Sequence, residues 1–162
     1  MENHFMHRFD RFDLAILRVL QRDASVSLAA LASSVGLTAT PCWRRVQQLE
    51  KAGVIRGRVA LLDRRRLGVG VTVFVAIRTN RHDLAWFDSF HSLVSSIPEV
   101  TEFYRMAGQT DYLLRVMVPD IAAYDQIYKK LIGAGGITDV DSSFAMEEIK
   151  YTTELPLSYA PA

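Results

Sequence analysis

Residues 27–53 read SLAALASSVGLTATPCWRRVQQLEKAG, two short helical patterns joined at a glycine. Leu28, Leu31, Ala32 and Val35 recur at i, i+3, i+4 and i+7, so they share one helical face, and Ser27 just ahead is a good N-cap. Gly36 supplies the turn. Thr38 is the expected cap of a second helix. Pro41 falls in its first turn, where a missing N–H costs little, and Gly53 is its stop after about Ala52. Within it Cys42, Val46 and Leu49 share the face that should pack inward. Arg44, Gln47, Gln48 and Lys51 point the other way, with Trp43 on the flank. Such side chains donate in pairs to guanine or adenine edges in a major groove and neutralise phosphates. A solvated face of an ordinary helical domain is the plain alternative.

The charge distribution favours the nucleic-acid reading. Net charge is only +1, but residues 1–68 carry 12 Lys and Arg against 6 Asp and Glu, whereas residues 69–162 carry 7 against 12. The basic part is the part with the helix pair, as expected of a DNA-reading module attached to a partner domain with another task.

Working outward, Asp10–Asp23 reads as a first helix, with Asp10 as N-cap, Asp13 three residues on, and Leu14, Leu17 and Leu20 facing the pair. After Gly53, Val54–Leu62 (VIRGRVALL) suits a strand or wing, and Asp63–Gly68 (DRRRLG) a hinge. From Val69 the period becomes two: Val69, Val71, Val73, Val75 and Ile77 alternate with Gly70, Thr72, Phe74, Ala76 and Arg78. Leu84–Ser96 reads as a helix through Phe87, Phe90, Leu93, Val94 and Ile97, ended by Pro98. Strands at Val100–Met106 and Tyr112–Val118 flank the turn AGQTD. A helix at Ile121–Ile132 and a last strand at Val140–Lys150 complete the set. Strand, helix, strand, strand, helix, strand is the split βαβ order, an antiparallel sheet covered on one face by two helices. Its open face is apolar enough to require cover, and a second copy of the chain is the expected one.

The expected architecture is therefore α+β: a winged helix-turn-helix at 1–62, a hinge at 63–68 and a ferredoxin-like βαββαβ sandwich at 69–162. The start MENHFMHRFDRFD has charges and histidines where a secretory leader needs an apolar run, and no run approaches the roughly 20 residues of a membrane span. Cys42 is the single cysteine, so no intramolecular disulfide forms; its predicted burial argues against redox sensing, and the expected location is cytoplasmic. His4, His7, His82 and His91 are scattered with no metal-ligand spacing, and no nucleophile comes with a base, so neither a metal, a cofactor nor a catalytic residue is expected. GAGG at 133–136 follows a helix instead of opening one and reads as a helix stop.

DRFDLAILRVLQRDA, LAALASSVGLTATPCWRRVQQLEKAGVI and GQTDYLLRV, in this order and at these separations, resemble the Lrp/AsnC (feast/famine) family across nearly the whole chain. The resemblance implies a winged helix-turn-helix followed by a ligand-responsive sandwich of the RAM type, dimers that often gather into octamers, and control of transcription by a small amino acid. It maps Thr38–Lys51 onto the family's recognition helix, making Thr38, Thr40, Trp43, Arg44, Arg45, Gln47, Gln48 and Lys51 the DNA-side candidates. Arg45 lies at the border of the buried side, which favours a phosphate or intradomain contact. Gly108 and Asp111 match the family's G-x-x-D effector loop, framed by Gln109, Thr110 and Tyr112, with Ser142 as a hydroxyl on the last strand. A carboxylate there suits an α-ammonium, and glycine permits close backbone approach. TATPCW, VALLD, RMAG and SSFAMEEIKYTT resemble a cysteine-responsive branch, which makes L-cysteine the expected effector. An amino-acid-binding enzyme or carrier with a basic docking head, and a nonspecific chromosome-organising protein, are the competing readings.

Overall fold

The computed structural model describes residues 8–161. His4, His7 and most of the stretch weighed against a leader peptide lie outside them. The described residues form two compact units, residues 8–60 with 150–161 and residues 61–149.

In the first unit α1 (Arg11–Leu20) starts where the sequence says it should. The Asp10 carboxylate accepts from the backbone N–H groups of Phe12 and Asp13, and Asp13 reaches back to the N–H of Asp10. A reciprocal cap of this kind stabilises a helix by about 1 kcal/mol. The helix stops at Leu20, short of Asp23. In α2 (Leu28–Ser34) Ser27 caps through the N–H of Ala30, and Gly36 turns the chain at φ +71°. In α3 (Ala39–Lys51) Thr38 holds the N-cap position but its side chain makes no capping bond, correcting the expected cap. Ile16, Leu31, Ala32, Cys42, Val46 and Leu49 close a single small core, and burial raises the Cys42 thiol pKa, keeping it protonated.

Val54–Leu62 is not a strand. After Val54 and Ile55 bond back to the Leu49 carbonyl, residues 56–62 run without ladder partners, and Val59, Leu61 and Leu62 are exposed. A strand needs a neighbour, and among the described residues the one sheet lies in the other unit. What meets this unit is the carboxyl-terminal segment: Leu155 N–H donates to Gln21 Oε1, Gln21 Nε2 returns to the Leu155 carbonyl, and Arg22 pairs with Glu154 at 2.9 Å. The expected sandwich at 69–162 includes this segment, and its bonds here run to Gln21 and Arg22 at the end of α1. Contacts between residues more than 130 positions apart leave no local pattern.

The second unit runs β1 (Val71–Thr79), α4 (Leu84–Ser95), β2 (Val100–Arg105), β3 (Tyr112–Val118), α5 (Ile121–Ile132) and β4 (Ile137–Phe144). The sheet is antiparallel in the order β2-β3-β1-β4, the split βαβ arrangement expected. Val73, Val75, Ile77, Leu114, Val116 and Val118 face Trp86, Phe90 and Val94 of α4 and Tyr124, Ile127 and Leu131 of α5. The last strand corrects the expected Val140–Lys150: it begins earlier and ends at Phe144. Its partner β1 starts at Val71, so pairing ends at Val73↔Phe144 and one further bond from Ala145 N–H to the Thr72 carbonyl. Asp63–Gly68 is a hydrogen-bonded turn in which Asp63 accepts from the N–H groups of Arg65 and Arg66. At the end of α5, Gly133 is the C-cap, and Gly135 and Gly136 turn the chain at positive φ, as expected of a helix stop.

Candidate DNA-reading face and effector loop

Packing of Cys42, Val46 and Leu49 into the core leaves Arg44, Gln47, Gln48 and Lys51 exposed on α3, with Trp43 half exposed beside them and Thr38 and Thr40 exposed at its start. Among the described residues, no ion pair or hydrogen bond holds the side chains of Arg44, Gln48 or Lys51. They point into solvent as a cationic and amide-bearing row at helical spacing, suited to base edges and phosphates.

Arg45 is different. Its Nη1 lies 2.7 Å from Asp10 Oδ2 and 2.8 Å from Asp13 Oδ1, and its guanidinium stacks over the Phe12 ring at 5.3 Å. Burial pushes the Asp10 carboxyl up, but the Asp13 backbone N–H, Arg45 and the Phe12 N–H outweigh it, and the net pKa is lowered. Arg45 thus ties α3 to the cap of α1. This is the intradomain contact, and it places Arg45 outside the exposed row.

The second candidate site lies at the β2–β3 turn. Met106 N–H donates to the Asp111 carbonyl at 2.8 Å and Asp111 N–H to the Ile77 carbonyl at 3.0 Å, fixing both ends of the loop. Gly108 sits at φ +126°, a conformation that favours glycine. Among the described residues, the N–H groups of residues 107–110 donate to no protein acceptor, leaving a row of free donors beside a carboxylate. Asp111 is half-buried, and its Oδ2 accepts from the Thr79 N–H at 2.8 Å, where the β1–β4 register shifts. Sequence reasoning missed Thr79, for which a partner 32 positions away leaves no signal.

Two residues assigned to this site are elsewhere. Tyr112 is buried among Trp86, Phe87, Phe90 and Phe103, with ring centroids at 5.5–6.1 Å, because the core-facing phase of β3 begins with it. Ser142 pairs with Val75, four residues along β1 from Thr79 and so about 13 Å away at strand rise, and its hydroxyl bonds that of Tyr124 on the helical side. Burial raises the Tyr124 pKa against the lowering effect of that bond. Within one chain, therefore, Gly108, Gln109, Thr110 and Asp111 come together, and Tyr112 and Ser142 do not join them.

A groove of about 530 Å³ in the first unit, lined chiefly by Leu17, Leu20, Val54, Ile55, Val59 and Leu155, has no carboxylate in its wall to meet an ammonium. Among the described residues no group of three or more His, Cys, Asp or Glu could hold a metal, and no helix is long and apolar enough to cross a membrane.

Two family signatures cover these sites: a winged helix-turn-helix DNA-binding domain matches residues 9–56 and the Lrp/AsnC ligand binding domain matches residues 72–155. The chain belongs to the Lrp/AsnC family. It is 50% identical over 149 residues to the DNA-binding transcriptional activator DecR of Escherichia coli strain K12, spanning 91% of this chain and 98% of that one. It is 49% identical over 152 residues to the glutamate uptake regulatory protein of Zymomonas mobilis, spanning 94% and 93%. The crystal structure of an AsnC family transcriptional regulator from Agrobacterium tumefaciens superposes with a TM-score of 0.89 at 60% identity, covering 93% of this chain and 99% of that chain. A transcriptional regulator from Neisseria meningitidis, solved with L-Met, superposes with a TM-score of 0.89 at 35% identity, covering 93% and 98%. This Lrp/AsnC protein is accordingly a DNA-binding transcriptional regulator, and its α+β architecture is that of the family.

Proposed function

We propose that this regulator reads double-stranded DNA with the exposed row of α3 and senses a small amino acid at the 107–111 loop. The observation that carries the first half is the set of unpartnered donors on α3: Arg44, Gln48 and Lys51 are left over by packing and aligned on one face. Gln47 belongs to the same face, Trp43, Thr38 and Thr40 flank it, and Arg45 supports it from behind.

For the effector, the free N–H groups of residues 107–110 suit an α-carboxylate and Asp111 suits an α-ammonium, so the loop matches the zwitterion common to all amino acids. The L-Met complex of the Neisseria protein supports an amino acid as the ligand class. L-cysteine heads the candidates on the resemblance of residues 38–43 and 142–153 to the cysteine-responsive branch.

The protein works as a homodimer, the unit from which octamers are built. Phe74, Tyr104, Leu113 and Met117 alternate outward on the face of the sheet that the helices leave open, which supports a second copy as cover. A dimer would set two α3 helices in major grooves about 34–36 Å apart, or a multiple of that. The cytoplasm, where the chromosome is, is the proposed location, and no catalytic role is assigned.

A thermal-shift panel of the twenty amino acids tests the sensor half. Ligand at 100 times its Kd should raise the stability of the folded state by about 2.7 kcal/mol. At the same ligand concentration Asp111→Ala should cut the shift to about half or less while DNA affinity persists. A full shift in that variant overturns the assignment of the loop.

A further inference from the structure

One acidic residue stands at the edge of the DNA-facing row. Glu50 follows Trp43 and Gln47 at i+7 and i+3 on α3, the helix that otherwise presents Arg44, Gln48 and Lys51. A carboxylate this close to the phosphates of a bound duplex is repelled by them, so its presence there calls for a compensating task.

Both of its oxygens are occupied. Oε2 accepts from Gln47 Nε2 at 2.8 Å, and Oε1 accepts from Arg58 Nη2 at 2.9 Å. An ionised carboxylate only accepts, so the Gln47 amide is oriented with its nitrogen towards Glu50 and its carbonyl oxygen away. That leaves outward the carbonyl oxygen and the second N–H of Nε2. An acceptor beside a donor is the pattern that meets N6–H and N7 of adenine in the major groove. Arg58, from the segment after α3 that has no strand partners, supplies the positive charge that cancels Glu50.

We infer that Glu50 is a positioning residue for sequence reading: it presents Gln47 to an adenine and keeps Arg58 beside the helix for a phosphate, without itself touching a base. The inference rests on the proposed DNA face of α3 and adds to it the orientation of one reading side chain and a contact from outside the helix. An unrestrained glutamine has several rotamers and both amide orientations open to it. Holding it beforehand means less freedom is lost on contact.

The test uses the full-length protein on a site recovered from a random duplex pool, with single-base variants measured by fluorescence anisotropy at fixed salt. Gln47→Ala should flatten the preference for A·T at one pair of each half-site, on the order of tenfold. Glu50→Ala should flatten the same pair, with affinity for the other single-base variants changing in common and little. Glu50→Gln should restore part of it, since its amide oxygen can still accept one of the two bonds. Arg58→Ala should leave base preference intact and lower the slope of log K against log salt by about 0.9. Thermal melts of the Glu50 variants within a few degrees of the parent are expected, because the residue is outside the core.

Any of the following results overturns the inference. Glu50→Ala could keep the A·T preference, or lose affinity evenly over all variants as a purely structural residue would. It could instead lose a C·G preference at a different pair, which would make Glu50 a direct reader of cytosine. If Gln47→Ala moves no pair while Arg44→Ala and Gln48→Ala do, the positioning role falls and the DNA face stands. If none of the three moves a pair, the DNA face itself falls.

Discussion

Helix α3 and the 106–111 loop use their polar groups in opposite ways. On α3 the side chains divide cleanly: Cys42, Val46 and Leu49 build the core, Arg45 braces the cap of α1, and Arg44, Gln48 and Lys51 remain for something else. In the loop a single carboxylate is asked to serve twice, because Asp111 holds the end of β1 through Thr79 and is also the group proposed to meet a ligand. On a helix, then, functional candidates are what packing leaves over. In a short loop with few side chains, structure and recognition share atoms, and deleting an atom tests both together.

That contrast is sharpest on the helix, where the largest effect is expected. Arg44→Ala with Gln48→Ala removes two of the side chains proposed to read bases, at about 1–3 kcal/mol each, so specific affinity should fall 30-fold or more in a binding isotherm while the melting temperature hardly moves. A double variant that still selects its own site from random duplex breaks the division of α3 into packing and reading faces.

For the loop, two variants separate the shared roles. Asp111→Asn keeps an oxygen for the Thr79 N–H and loses the charge; Asp111→Ala loses both. Hydrogen bonds to charged groups contribute about 1.5–3 kcal/mol, so both variants should weaken the effector roughly 10- to 100-fold in calorimetry, and only the alanine should also lower thermal stability. Equal effector affinity in Asp111→Asn and the parent would mean that the carboxylate serves the fold alone.

Arg45→Ala probes the exception on α3. Losing a partly buried guanidinium shared by Asp10 and Asp13 should cost about 1–2 kcal/mol of stability, read by denaturant unfolding, with base preference unaltered. The pH dependence has a definite sign. The lowered Asp10 pKa means this contribution is complete above its ordinary value of 3.8 and fades as pH falls through the lower folded-state value, so the parent and Arg45→Ala should converge in acid.

The smallest effect belongs to Ser142. Its hydroxyl serves Tyr124, and Ser142→Ala should cost about 1 kcal/mol and leave the amino-acid thermal shift unchanged. A lost shift would return Ser142 to the effector site, supplied there by another chain.

Much of this was legible in order along the chain. The Asp10 and Ser27 caps, the Gly36 turn, the inward face of α3, the alternation of β1 and the span of α5 all follow from contacts within a few residues, which a one-dimensional pattern records. Trp86 in α4 leaves no local signal, because its position depends on an indole N–H donating to the Gly135 carbonyl, 49 residues on. Arg58 carried a signal that could have been read, a second arginine in VIRGRV directly after the reading helix. Tyr112 stands next to the loop in sequence, and the pleat of β3 turns it inward.

Local chemistry written in the chain determined the helices, the Asp10 and Ser27 caps, the strand alternation, the split βαβ order and the division of α3 into two faces, because periods of 3.6 and 2 assign each side chain to a face before any partner is known. The fold in three dimensions decided where β4 ends, that Val54–Leu62 is left unpaired, that residues 150–161 join the helical unit, and that Asp111 is bound to Thr79. Each of those depends on which backbone groups meet across long separations, and hydrogen-bond partners of that kind have no period to read.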